Sequence, residues 1–162
     1  MNSPDMTPHS TQHSTVVFGR VFDAPLARVY AAFSDPAERT RLGSAGRKAV
    51  FKLDRMDFRI GGSDDFHFGS RGSPRFRCQS MYLDIVPFAR IVTSDVIYER
   101  EVRRSVVVTT VELKPAGHRT QVKITAQLVW LDGADEIDDL NIRHASLLDN
   151  LGRYLEMPEH RP

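Results

Sequence analysis

Thr120-Gln121-Val122-Lys123-Ile124-Thr125-Ala126-Gln127-Leu128-Val129-Trp130-Leu131 alternates between two kinds of side chain almost without a break. Thr120, Val122, Ile124, Ala126, Leu128 and Trp130 fall on one face, and Gln121, Lys123, Thr125 and Gln127 on the other. A period of two with one apolar face is that of a half-buried strand in an antiparallel sheet. Asp132-Gly133 then breaks the chain, and from Ala134 to Glu156 the period becomes helical. The first turn is acidic (Asp135, Glu136, Asp138, Asp139), which suits a helix N-terminus. Ile137, Leu140, His144, Leu147, Leu148, Leu151 and Leu155 form one stripe. At about 1.5 Å per residue such a helix is roughly 33 Å long, enough to cross a small domain, and Pro158 ends it. A sheet with one apolar face must be covered, and no other element is large enough to do it.

Working back from this pair, the rest of the chain reads as one α+β domain. Residues 1–14 are polar, hold Pro4 and Pro8, and read as a disordered tail. Thr15 to Phe22 is a first strand rich in β-branched and aromatic residues. Pro25 suits the first position of a helix in which Leu26, Val29, Tyr30 and Phe33 recur at helical spacing up to Ser34. Asp35-Pro36 opens a second short helix to Leu42, stopped by Gly43. Lys48 to Leu53, Met56 to Ile60 and Asp65 to Phe68 read as short strands, the last two joined by a hairpin at Gly61-Gly62. Gly69 to Pro74 reads as a glycine-rich rim loop. Arg75 to Val86, Arg90 to Arg100 and Ser105 to Leu113 are longer strands, and their short separators predict antiparallel neighbours. The predicted architecture is a curved antiparallel sheet of about seven strands around the long C-terminal helix, spanning residues 15–157, with 158–162 as a tail.

The totals exclude several function classes. In 162 residues, 22 Lys+Arg nearly cancel 21 Asp+Glu, and the net charge of +1 offers no basic surface for nucleic acid. No apolar run approaches the roughly 20 residues that span a bilayer, and the N-terminus has no apolar signal-peptide core, so a cytoplasmic protein is expected. Cys78 is the single cysteine, which rules out an internal disulfide and a cysteine-rich metal site; in its strand-like run it reads as a buried structural thiol. There is no G-x-S-x-G elbow, no H-E-x-x-H and no nucleotide fingerprint, so no cofactor is expected. Asp64, Asp65 and His67 are close in sequence, but neighbouring strand residues point to opposite faces, which argues against a metal site.

Several blocks resemble one family in its own order. They are Arg20-Val21-Phe22-Asp23-Ala24-Pro25, Val29-Tyr30-Ala31-Ala32-Phe33-Ser34-Asp35-Pro36, Asp57-Phe58-Arg59-Ile60-Gly61-Gly62, Tyr82-Leu83-Asp84-Ile85-Val86-Pro87, Arg90-Ile91-Val92, Thr110-Val111-Glu112-Leu113 and Leu131-Asp132-Gly133-Ala134-Asp135. Over residues 15–156 the chain resembles the START-like (SRPBCC, helix-grip) superfamily, in particular homologues of the activator of the ninety-kilodalton heat-shock-protein ATPase. The resemblance implies a helix-grip fold with a hydrophobic cavity and small-molecule binding, and it brings no catalytic motif. Arg41 to Gly46 and Arg143-His144-Ala145 depart from the family's usual residues, so ligand identity does not carry over.

His144 is the leading candidate, because its phase aims it at the sheet among Leu140, Leu147, Leu148 and Leu151. It would either give a ligand one oriented hydrogen bond, act as acid or base, or be satisfied within the core. Asp95 and Glu99 are in phase with Ile91, Thr93 and Ile97. Either that face is inward and two carboxylates enter the cavity, or Val92, Val96 and Tyr98 face inward and the acids are solvated. The charged outer faces of the family's barrel imply the second arrangement, which makes Tyr98 and Trp130 cavity residues. Arg77 would meet an anionic ligand if inward, but a solvent-facing strand arginine is the commoner case. Leu128, Phe76 and Phe33 complete the expected ligand-binding set.

The leading functional expectation is binding of a small hydrophobic or aromatic molecule, lipid-like or polyketide-like. A cavity enzyme of cyclase, aromatase or hydrolase type is the alternative, favoured by an inward pair of titratable groups within hydrogen-bond reach. A third is the chaperone-ATPase activation that the resemblance implies, with a chaperone as partner. Long edge strands need cover, which a homodimer would supply.

Overall fold

The computed structural model describes residues 8–46, 49–71, 73–136 and 138–159, and within these the side chains of 49, 73–74, 136 and 138–145 lie outside the description. The expectations for residues 1–7, Lys48, Ile137 and 160–162, and for the side chains of Leu140 and His144, fall outside it.

The chain runs β1 (Thr11–Phe22), α1 (Leu26–Ser34), α2 (Pro36–Gly43), β2 (Ala49–Met56), β3 (Ser63–Ser70), β4 (Ser73–Val86), β5 (Arg90–Glu99), β6 (Val102–Ala116), β7 (Arg119–Leu131), a 3-10 turn (Ala134–Glu136) and α3 (Asp138–Glu156). All seven strands form one antiparallel sheet in the order β1-β7-β6-β5-β4-β3-β2. Apart from the β1-to-β7 pairing, which brings the first strand to the last, every neighbour is a sequential hairpin. The two short helices after β1 and the C-terminal helix complete the helix-grip fold.

The alternation in β7 is matched by burial: Thr120, Val122, Ile124, Ala126, Leu128 and Trp130 are all buried, and Gln121, Lys123 and Gln127 are exposed. Thr120 is tolerated inside because its hydroxyl donates to Ala24 O at 2.9 Å, which satisfies both groups. In α1, Val29, Tyr30, Ala32 and Phe33 are buried, and Pro25 precedes the helix as its N-cap. The Asp35 side chain caps α2 by accepting from the Glu38 amide at 3.0 Å.

Several expected boundaries are corrected. Gly69 to Pro74 is not a loop throughout, since β3 runs to Ser70 and β4 starts at Ser73, and the helix expected from Ala134 is a 3-10 turn (Ala134–Glu136) followed by α3 from Asp138. The first strand starts at Thr11, because β7 extends to Leu131 and offers it a partner along its whole length. Met56 to Ile60 is not a strand. β2 continues through Met56, with a register shift between Leu53 and Arg55, and the chain then folds into a compact loop. In that loop the Arg59 amide donates to Asp57 O (3.0 Å), the Gly62 amide to Arg59 O (2.8 Å) and the Asp57 amide to Ser63 O (3.0 Å). A Cβ on Gly62 would lie 2.1 Å from Asp57 O, so only glycine fits the closure. Gly61 and Gly62 also bond to the Tyr82 backbone at 2.8 and 3.0 Å, which docks the loop on β4.

α3 is seated from its C-terminal end. Tyr154 OH donates to Glu38 of α2, and the guanidiniums of Arg28 and Arg41 lie 5.8 and 5.7 Å from the Tyr154 ring. The same two arginines donate to Met157 O and Pro158 O. Burial and the neighbouring Glu38 carboxylate push the Tyr154 phenol well above its ordinary value, so it stays a donor. On the other side of the helix, Arg20 of β1 donates to Leu148 O (3.3 Å) and Asp149 Oδ1 (2.8 Å).

The apolar core is in two parts. One packs α1 and α3 on β1, β6 and β7, and includes Val29, Phe33, Val122, Leu148 and Leu151. The other is an aromatic cluster on β3, β4 and β7 that includes Phe66, Phe68, Phe76 and Trp130.

Candidate functional site

A cavity of about 440 Å³ lies between these two clusters, and takes walls from both. That volume is within the range of small-molecule sites. On β3, Asp64, Phe66, Phe68 and Ser70 alternate onto the inner face and all line the cavity. At about 3.3 Å per residue, Asp64 and Ser70 are roughly 20 Å apart. Ser70, Asp149 and Arg153 are exposed lining residues and mark the mouth, between the β3–β4 hairpin and α3. Asp64, Ser80 and Tyr82 are buried and mark the closed end.

The middle of the cavity is aromatic. Phe68 and Phe76 stack with centroids 5.3 Å apart, and Phe51 lies 5.1 Å from Phe66. The Arg39 guanidinium sits 5.2 Å from both the Phe51 and Phe66 rings, a cation–π position on the cavity wall. Gly43 of α2 lets the Phe51 ring approach; a Cβ there would be 2.3 Å from the ring.

The closed end is polar by register. Asp64 pairs with Ser80 across β3 and β4, and Ser80 with Asp95 across β4 and β5, so the three form one inward row over adjacent strands. Ser80 Oγ donates to Asp95 Oδ1 (2.6 Å), and Thr109 Oγ1 of β6 donates to Asp95 Oδ2 (2.7 Å). Two residues along β4, Tyr82 OH donates to Asp64 Oδ2. Asp64 Oδ1 has no hydrogen-bond partner among the described residues, although Asp64 is only 4% exposed. Burial raises the Asp64 pKa above the ordinary carboxylate value of 3.8, and the Asp95 charge adds to this; the Tyr82 hydrogen bond, the Arg39 charge and the nearby Asp57 amide, itself bonded to Ser63 O, act in the opposite direction. Burial, and then the Asp64 hydrogen bond, push the Tyr82 phenol far above its ordinary value, so Tyr82 is a donor at any physiological pH. The arrangement therefore pairs a fixed phenolic donor with a carboxyl whose pKa is raised by burial.

Of the residues expected at the site, Phe33, Phe76 and Leu147 line the cavity. Leu148 and Leu151 are buried in the first core cluster and Leu128 and Trp130 in the second, and none of the four lines the cavity; Trp130 Nε1 donates to Ser14 Oγ at 3.0 Å. The side chains of His144 and Leu140 lie outside the description. The face of β5 is the reverse of the one implied by the charged outer barrel: Ile91, Thr93 and Asp95 line the cavity. Tyr98 consequently faces away from it, beside Arg77 and Arg103 in the pairing. Glu99 lies beyond the cavity, paired with Arg75 (2.7 Å) and Arg104 (2.9 Å). Arg77 is on the outer face and ion-paired to Asp65. His67 is also outward, bonded to Asp54, so Asp64, Asp65 and His67 do not converge.

Asp64, Ser80, Tyr82, Thr109 and Arg39 were not among the expected site residues. The signal for Asp64 was present: it is in phase with Phe66 and Phe68. A strand read from Asp65 leaves it out, whereas β3 starts two residues earlier, at Ser63.

Among solved structures, a Rhizobium loti protein is 34% identical, with 90% of this chain and 99% of that one covered and a TM-score of 0.76. An uncharacterised Rhizobium leguminosarum protein is 29% identical over 93% and 99% of the two chains, with a TM-score of 0.77. A Chromobacterium violaceum protein is 25% identical over 89% and 98%, with a TM-score of 0.75. No curated protein matches the chain significantly. Among the described residues no helix is long and apolar enough to cross a membrane. The model of the Activator of Hsp90 ATPase homolog 1-like protein family matches residues 23–156, nearly the whole of the fold described above, and the chain belongs to that family.

Proposed function

We propose that the protein binds a small, mainly aromatic or lipid-like molecule in the cavity between the sheet and α3. The observation that carries this reading is the division of the core: two apolar clusters are held apart by about 440 Å³ of space with an exposed mouth and a closed end. Close packing is the rule in protein interiors, and leaving so much apolar wall uncovered costs dispersion and burial energy that a ligand would recover. The sequence supports the same reading, since Phe66, Phe68 and Phe76 are spent on lining the space.

Native mass spectrometry of the purified protein, followed by denaturing extraction, tests this directly. The expected result is a retained or added aromatic or lipid-like molecule, lost in Ala126→Phe. Ala126 lines the cavity from the centre of β7 and is 1% exposed, so a phenyl ring there occupies the space from its wall. A protein that carries nothing, and whose melting temperature no apolar or aromatic compound raises, refutes the reading.

One observation favours a second reading, acid/base chemistry on the bound molecule. Tyr82 and Asp64 are an inward titratable pair in hydrogen-bond contact, as dehydration or cyclisation in a pocket requires. Conversion of an extracted ligand to a species of different mass, abolished by Tyr82→Phe with binding retained, would establish it; unchanged ligand after prolonged incubation would remove it.

A further inference from the structure

The two acids at the closed end are treated differently by the fold. Both oxygens of Asp95 are occupied, one by Ser80 and one by Thr109. Asp64 has one oxygen held by Tyr82 and the other without a hydrogen-bond partner among the described residues; the Asp57 amide that also acts on this carboxyl gives its hydrogen to Ser63 O, and the Asp64 side chain lines the cavity. A buried carboxyl oxygen without a donor is unfavourable, and sites built to hydrogen-bond a ligand have this form before the ligand arrives.

The surroundings restrict what that donor is. An ammonium has three N–H groups to satisfy. Around it Asp64 Oδ2 and both Asp95 oxygens each already accept one hydrogen bond, so Asp64 Oδ1 is the acceptor still without a donor and the others offer only a second, shared position. Arg39 also lines the cavity and acts on Asp64 with positive charge, which a second cation would oppose. A hydroxyl has one hydrogen to give and matches the single open oxygen. Next along β3 toward the mouth stand Phe66 and Phe68, so the carbon attached to that hydroxyl meets aromatic walls.

We propose that Asp64 Oδ1 is the anchoring acceptor for a single hydroxyl at the leading end of an aromatic ligand, a phenol-like group inserted past Phe68 and Phe66 with its ring against them. Tyr82 is a positioning residue: its hydroxyl fixes the carboxyl rotamer so that Oδ1, and not Oδ2, faces the cavity. The proposal rests on the cavity-binding reading above and adds the chemical class of the ligand to it.

Isothermal titration with three probes of one shape tests it: 2-naphthol, a donor; 2-methoxynaphthalene, which lacks the donor; and 2-acetonaphthone, an acceptor. In the wild-type protein the naphthol is expected to bind at least about tenfold more tightly than the methoxy compound, the size of effect given by one charge-assisted hydrogen bond. In Asp64→Asn, whose fold is checked by circular dichroism, the amide oxygen takes the Tyr82 hydroxyl and the NH2 group turns to the cavity. The naphthol preference should then vanish, with the acetonaphthone gaining. Equal wild-type affinities for naphthol and methoxynaphthalene, tighter wild-type binding of acetonaphthone, or a naphthol preference that survives in Asp64→Asn would each overturn the anchor while leaving cavity binding intact. Binding of none of the three would overturn the aromatic anchor, while the cavity reading itself stands or falls on the extraction and melting experiment above.

Discussion

Tyr82→Phe isolates one hydroxyl in the interior of this protein. Tyr82 is 3% exposed, and its ring meets Phe58 edge-on at 5.0 Å, a contact that phenylalanine keeps. What is lost is the hydrogen bond to Asp64 Oδ2, and with Oδ1 already unpartnered the carboxyl then has no side-chain donor among the described residues. A hydrogen bond to a charged group contributes about 1.5–3 kcal/mol, whereas one between neutral groups contributes about 0.5–1.5 kcal/mol. Tyr82→Phe should therefore cost about 2 kcal/mol at pH 8, where Asp64 is most ionised, which for a chain of this size lowers the melting temperature by about 4–8 °C. In an Asp64→Asn background the same substitution should cost about 1 kcal/mol, because the acceptor is neutral. Urea denaturation of the four proteins of this cycle gives the coupling, expected near 1 kcal/mol. Equal costs in the two backgrounds, or a cost under about 0.5 kcal/mol in the wild type, would show that the Tyr82–Asp64 bond does not hold the closed end together.

Asp64 also predicts a sign for pH dependence. Its folded pKa is raised, chiefly by burial, so between the ordinary value of 3.8 and that higher value the folded state binds more protons than the unfolded state. This group's contribution to stability therefore falls as pH rises through that window. Asp65, held low by its Arg77 hydrogen bond, contributes in the opposite direction, so the total profile is not diagnostic. The difference between wild type and Asp64→Asn is diagnostic: the variant should gain relative stability from pH 4 upward, and a flat difference would contradict the raised pKa. Leu151→Ala tests the other half of the core, since Leu151 is fully buried where α3 meets the sheet. It should cost about 2–5 kcal/mol in denaturant unfolding, and less than about 1 kcal/mol would mean that α3 is not packed as described.

The sequence alone determined the architecture. The period of two over Thr120–Leu131, followed at once by a helical stripe, specifies a one-faced sheet and its cover, and both signals are local: they depend on residues two, three or four apart. The short helices and most strand limits follow from punctuation of the same local kind, such as Asp35-Pro36. Where that punctuation misled, at Gly61-Gly62, the closure onto the Tyr82 backbone of another strand overrode the hairpin signal.

The site was decided by tertiary structure. Asp64, Ser80 and Asp95 are widely separated in sequence and form a row only through the register of β3, β4 and β5, which no local pattern states. The inward face of β5 is ambiguous in sequence, because Val92, Val96 and Tyr98 are as plausible a core face as Ile91, Thr93, Asp95 and Ile97. Pairing settles it: Asp95 reaches two hydroxyls on neighbouring strands, and a carboxylate satisfied in that way is tolerated inside. Trp130 illustrates the converse. Its phase correctly makes it inward, yet it is buried in the second apolar cluster and is not among the residues that line the cavity. Periodicity reports which side of an element is buried. Whether that side meets another side chain or an open space depends on the volumes of residues from every other element, and those meet only in the folded chain.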